Sequence, residues 1–246
     1  MKRLIVNADD FGFTRDVNEG IVHAHRSGIL TATTLMATGP AFEHAVTLAR
    51  ESPGLDVGVH LVLVGAEGYP ATVAQLVAAV ALGRIRIYDQ LARQVRKILN
   101  AGIRPSHLDA HKHTHMLPPV LDAVARIAQE FRIPWVRRPI PLRVPFLTSM
   151  LQRRLVQRGC RTTDHFAGFE ITGGYDTLGL AAVIRNLPEG LTEFMCHPGF
   201  CGDELRAAST RLKETRRIEL EALTSAEARQ ALQESAITLI SYRDLA

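Results

Sequence analysis

The sequence predicts an α/β fold, an irregular (β/α) TIM-like barrel built as one domain over residues 1–246, and three observations predict it. Short β-rich runs alternate with stretches of helical periodicity along most of the chain. Polar residues gather at the C-terminal ends of those runs, the edge where parallel α/β folds build their sites. Apolar residues make up 46% of the chain, ample for a large core, and no linker-like stretch divides it. About eight strands in one continuous chain favour a barrel over an open, doubly wound sheet.

Taken in order, LIVNA (4–8) is the first strand, rich in β-branched and aliphatic residues and ended by two aspartates. DVNEGIVHAHRSG (16–28) follows as a helix closed by glycine. TATTLMA (31–37) is the second strand, PAFEHAVTLARES (40–52) the second helix, and LDVGVHLVL (55–63) a third strand with His60 late in it. AEGYPATVAQLVAAVALGR (66–84) fits the alternation poorly and reads as an insertion over the site or an extra helix. YDQLARQVRKILNAG (88–102) is helical and SHLDAH (106–111) is a strand. PPVLDAVARIAQEF (118–131) is a helix opened by prolines, whose missing amide proton is harmless in a first turn. WVRRP (135–139), HFAGFEI (165–171), LTEFMCH (191–197) and AITLISY (236–242) complete the strands, with a helix, DTLGLAAVIRNL (176–187), before the seventh.

Composition narrows the function classes. The net charge is +4, but 25 acidic residues are spread among 29 basic ones, so no basic arm of the kind that binds nucleic acid is present. Three cysteines, Cys160, Cys196 and Cys201, are odd in number and lack CxxC spacing, which fits a reducing compartment, the cytoplasm. The opening apolar run stops at the aspartates, too early for a signal-peptide core, and no apolar stretch is long enough to span a bilayer.

HLDAHKHTH (107–115) holds four of the ten histidines. In an extended strand, alternation places His107, Asp109, His111, His113 and His115 on one face, whereas a helix would align only His107, His111 and His115. Asp10, His60 and His111, each at a strand end, make a one-carboxylate, two-histidine set that suits a divalent cation with positions left open for catalysis. Such a cation polarises a carbonyl and acidifies a water; Asp9 is then the candidate base for that water's proton, and His197, in MCHPGF, the candidate acid for a leaving group.

These residues resemble the YdjC-like carbohydrate deacetylase family: NADDFG, GVH at His60, HLDAHKHTHMLP, an arginine at 137 or 138, and CHPG occur in that order over about residues 4–200. The resemblance implies an irregular (β/α) barrel that hydrolyses the N-acetyl group of an N-acetylated amino sugar. It implies Asp10, His60 and His111 as ligands of Mg2+ or Zn2+ and Asp9 as general base. His113, His115 and Arg138 are expected to contact substrate or orient ligands.

Within the family the chain looks most like the branch associated with hopanoid biosynthesis, which implies an N-acetylglucosaminyl hopanoid lipid as substrate. PLRVPFLTSMLQRRLVQRG (141–159) adds a hint: Phe146, Leu147, Met150, Leu151 and Leu155 fall on one helical face beside Arg153, Arg154 and Arg158, a composition suited to an anionic membrane surface. Expected partners are therefore the sugar or glycolipid, with peripheral contact to the inner membrane and a homo-oligomer both compatible, and no nucleic acid. Two rival readings are a metal-dependent barrel phosphoesterase and a non-catalytic metal-binding protein. The absence of a Gly-rich phosphate loop weighs against the first, and the second leaves Asp9 and His197 without work.

Overall fold

The computed structural model describes residues 1–140 and 145–245; the first four positions of the 141–159 segment lie outside them. All eight expected strands form: β1 (Lys2–Phe11), β2 (Ala32–Leu35), β3 (Asp56–Leu61), β4 (His107–Ala110), β5 (Trp135–Val136), β6 (His165–Ala167), β7 (Gly190–Cys196) and β8 (Thr238–Leu239). Between the early strands lie α1 (Arg15–Ser27), α2 (Phe42–Arg50), α3 (Val73–Ala81), α4 (Ile87–Asn100) and α5 (Pro118–Glu130). The later helices are α6 (Pro145–Gln157), α7 (Thr177–Arg185), α8 (Asp203–Ala207), α9 (Glu214–Thr224) and α10 (Ala226–Glu234).

The strands pair in parallel in the order β5-β4-β3-β2-β1-β7-β6. β8 pairs with Arg3 and Leu4 of β1, and β2 begins at Asn7 of the same strand. An isolated bridge from Trp135 to Arg161 draws the β5 edge toward the segment leading into β6. The sheet is therefore curled toward closure and wrapped by helices, the irregular TIM-like arrangement that the alternation predicts.

Local chemistry accounts for the elements. Thr14 caps α1 by accepting from the Val17 amide, Ser225 caps α10, and Pro118 occupies the first turn of α5. The apolar stripe of α4, Leu91, Val95 and Ile98, is wholly buried, each side chain contributing about 1.5–3 kcal/mol. Gly58 in β3 leaves room for the His107 ring, which a Cβ there would meet at 2.6 Å.

Two expectations need correction. The histidine cluster is not one strand face: β4 stops at Ala110, and His111–Met116 is a 3-10 turn in which Lys112 and His113 have φ of 50° and 51°. Left-handed backbone ends the two-residue alternation, so His107 and Asp109 alone keep strand geometry. The apolar face expected on α6 is split, with Leu151 and Leu155 buried and Phe146, Leu147 and Met150 exposed. Arg154 of that helix and Arg158 just after it pair with Asp122 of α5 rather than facing outward alone. The 66–84 stretch, which the sequence offers as an insertion over the site or an extra helix, forms a loop and the exposed helix α3, in which only Leu76 is buried. No helix among the described residues is long and apolar enough to cross a membrane.

Candidate active site

The polar residues that the sequence places at strand ends lie at the C-terminal edge of the sheet. Asp9 and Asp10 end β1, His60 sits in β3, His111 follows β4, Arg137 follows β5 and His197 follows β7. Register slips between Ala8 and Phe11, and Asp10 takes φ 70°, a conformation rare for a residue with a side chain. That turn lets neighbouring aspartates face different partners. Gly12, at φ 100°, completes it, its amide donating to Asn18 Oδ1 at 2.6 Å.

Asp10 Oδ1, His60 Nε2 and His111 Nδ1 form a triangle with sides of 3.4, 3.2 and 3.1 Å. Its centre lies about 1.9 Å from each corner (mean side over √3), just inside the roughly 2.0–2.2 Å at which imidazole and carboxylate bind a zinc-sized cation. Asp10 Oδ1 is buried and makes no hydrogen bond, an orphan that a cation would satisfy. His60 donates through Nδ1 to Asp109 Oδ1 at 2.7 Å, which turns Nε2 toward the triangle, and Thr34 Oγ1 donates to Asp109 Oδ2. Burial lowers the His60 pKa, but Asp109, with Asp10 and Asp9, outweighs it and pushes the group up to about 10.

A second cluster, Asp9, His60 and Asp109, also has converging ligand atoms. Arg137 fills it. The fully buried guanidinium donates to Asp9 Oδ1 at 2.6 Å and Oδ2 at 2.7 Å, reaches Asp109 Oδ2 at 2.7 Å, and donates through Nε to Glu193 Oε1 at 2.8 Å. A guanidinium already pairing both carboxylates leaves no place for a second cation. Burial disfavours ionised Asp9, yet Arg137 holds its carboxyl well below the ordinary carboxylate range.

His197 lies with Nε2 3.9 Å from Asp9 Oδ2, and burial holds its pKa below the usual histidine value against the pull of Asp9 and Glu219. Its position depends on α9, which sequence reading left unassigned. Glu219 accepts from the His197 amide at 2.6 Å, from Tyr175 Oη at 3.0 Å and from the Gly173 amide at 2.9 Å. Arg216, also on α9, donates to Asp10 Oδ2 at 2.5 Å. Burial raises the Asp10 pKa, but Arg216, then His111 and His60, hold the group well below the usual range.

These groups line a cavity of about 900 Å³. Asp9, Asp10, His60, His111, His113 and His197 all face it, walled by Tyr69 and Glu67 of the loop before α3, by Phe169, and by Arg211 and Leu212 before α9. His113 packs edge-on against Phe169, with ring centroids 4.9 Å apart. Two expected substrate contacts are not brought to the cavity. His115 is buried beneath it with neither ring nitrogen hydrogen-bonded, and Arg138 donates to the Thr163 carbonyl at 3.2 Å. The arginine that reaches the site is Arg137, because side chains alternate at the end of β5. Arg216 and Glu219 carried no sequence signal: TRRIELEALT reads as the polar surface of an ordinary helix.

The YdjC-like protein family matches residues 3–234. A carbohydrate deacetylase of Brevibacillus brevis (strain 47 / JCM 6285 / NBRC 100599) is 34% identical, covering 99% of this chain and 99% of its own. A chitooligosaccharide deacetylase of Salmonella paratyphi B (strain ATCC BAA-1250 / SPB7) is 34% identical, covering 98% of each chain. Among solved structures, an Enterococcus faecalis V583 protein named for cellobiose-phosphate cleavage matches with a TM-score of 0.84 at 28% identity, over 100% of this chain and 99% of that one.

Proposed function

The chain belongs to the YdjC-like protein family, and we propose that it is a metal-dependent hydrolase that removes the N-acetyl group from an N-acetylated amino sugar. The observation that carries this reading is the convergence of Asp10 Oδ1, His60 Nε2 and His111 Nδ1 on the floor of the cavity, with Asp9 ionised beside them. The deacetylase names of relatives aligned over nearly the full chain support it.

A divalent cation held by Asp10, His60 and His111 would polarise the amide carbonyl and acidify the attacking water. Two imidazoles and one carboxylate suit Zn2+ and accept Mg2+ less conventionally. Asp9, kept ionised by Arg137, accepts the water's proton. His197, neutral at rest because burial holds its pKa down, would take the water's proton from Asp9, 3.9 Å away and so by way of one bridging water, and pass it to the departing amine nitrogen. His113 and Phe169 offer an aromatic wall to the sugar.

The finer substrate reading is an N-acetylglucosaminyl hopanoid lipid handled by one domain in the cytoplasm, peripheral to the inner membrane. Exposed Phe146, Leu147 and Met150 beside Arg153 on α6 support contact with an anionic bilayer. A homo-oligomer is compatible with this placement. Acetate release from a free N-acetylated disaccharide and from the glycolipid, with and without chelator, tests both levels. Activity on neither substrate ends the deacetylase reading; equal efficiency on both, with no binding to anionic vesicles, ends the lipid reading alone.

A further inference from the structure

We propose that Arg216 is a positioning residue for the carboxylate of Asp10, which makes α9 a working part of the metal site. The inference rests on the reading of Asp10 as a ligand and goes beyond it by assigning a residue no motif contains.

The two oxygens of Asp10 have separate surroundings. Oδ2 accepts from Arg216 Nη2 at 2.5 Å, whereas Oδ1 has no hydrogen bond and faces the ring nitrogens of His60 and His111. The hydrogen bond on Oδ2 holds that oxygen toward α9, which leaves Oδ1 turned toward the triangle. Arg216 is itself immobilised. It is buried, donates through Nε to the Leu212 carbonyl at 3.3 Å, and lies over the Phe13 ring. Its own carbonyl accepts from the Gly199 amide at 3.2 Å, in the turn after His197, and Glu219 one helical turn on accepts from the His197 amide. One helix thus fixes both a candidate ligand and the candidate acid.

Two effects of Arg216 oppose each other: its charge repels a cation, and its hydrogen bond orients the ligand for one. Orientation should outweigh repulsion, because partners of metal ligands typically contribute about 10–100-fold to affinity.

Zn2+ titrated calorimetrically into the metal-free full chain tests this, in wild type, Asp10→Ala, Arg216→Met, Arg216→Lys and Arg217→Met, each checked for folding by circular dichroism. Wild type should bind one equivalent, Asp10→Ala should lose it, and Arg216→Met should bind about 10–100-fold more weakly. Lysine keeps the charge but lacks the Nε donor that holds the side chain to Leu212, so Arg216→Lys should recover only part of the loss and serves alone if the methionine variant does not fold. Arg217→Met, altering an exposed residue paired with Glu221, should match wild type. Affinity within about two-fold of wild type in a folded Arg216 variant, with Asp10→Ala still defective, overturns the Arg216 role and leaves the ligand reading standing. Undiminished binding in Asp10→Ala overturns both.

Discussion

Arg137 grips Asp9 through two parallel hydrogen bonds, Nη2 to Oδ1 at 2.6 Å and Nη1 to Oδ2 at 2.7 Å, across 128 residues of sequence. The same guanidinium also pairs with Asp109 and Glu193, so it ties together the candidate base, the partner of His60 and a carboxylate of β7. Removing it strands three buried carboxylates. Arg137→Gln should cost about 3–5 kcal/mol in urea unfolding, and Arg137→Lys should recover little because an ammonium cannot reproduce the fork. A loss below about 1 kcal/mol would show that the carboxylates find other partners.

The adjacent aspartates should separate in function because they are held by different arginines. Asp9→Asn should keep the metal and lose about 10²–10⁴-fold in kcat, the contribution of a general base. Asp10→Asn should lose metal first, with activity following. Metal analysis of the two purified variants beside kcat decides this, and equal metal loss in both would mean that the division of labour is wrong.

How much of this was legible in the sequence differs between residues. All eight strands and the residues at their C-terminal ends were readable, because alternating periodicity and polar strand ends are local signals. The triad of Asp10, His60 and His111 was readable for the same reason, and its donor atoms do converge. The orientation of His113 and His115 was not, since strand alternation assumes backbone that Lys112 and His113 abandon. Arg137 could not be told from Arg138 without the phase of a strand only two residues long. Arg216 and Glu219 were invisible because their burial depends on how α9 docks against the turn after His197, a tertiary fact with no local pattern.

The two neighbouring arginines give a direct contrast. Arg138→Ala should change kcat/KM by less than about three-fold, since its side chain holds the Thr163 carbonyl away from the cavity. A large rise in KM in that variant would restore it as a substrate contact.

Acid should destabilise the fold through its buried histidines. Burial, with the nearby Arg137, holds His107 and His113 well below the ordinary value of 6.5 and His115 at about 3. Above pH 6.5 these groups are neutral in both states and contribute no slope. As pH falls through 6.5 the unfolded chain takes up protons that the folded chain refuses, so stability declines toward pH 3 by about 1.4 kcal/mol per pH unit for each such histidine. Denaturant unfolding at about pH 7, 6.5, 6 and 5.5, above the carboxylate titration range, reads this slope. His115→Leu, which removes a ring with no hydrogen bond, should flatten it by about one proton's worth. An unchanged slope would mean that His115 titrates alike in both states.

Acetate release from an N-acetylated disaccharide, followed beside bound-metal stoichiometry through chelation and re-addition of Zn2+, tests the central claim most directly. Wild type should hold one bound cation, lose acetate release on chelation and recover it on re-addition, and folded His111→Ala should have neither metal nor turnover. Acetate release that persists in metal-free chain, or a full equivalent of metal retained by His111→Ala, would contradict it.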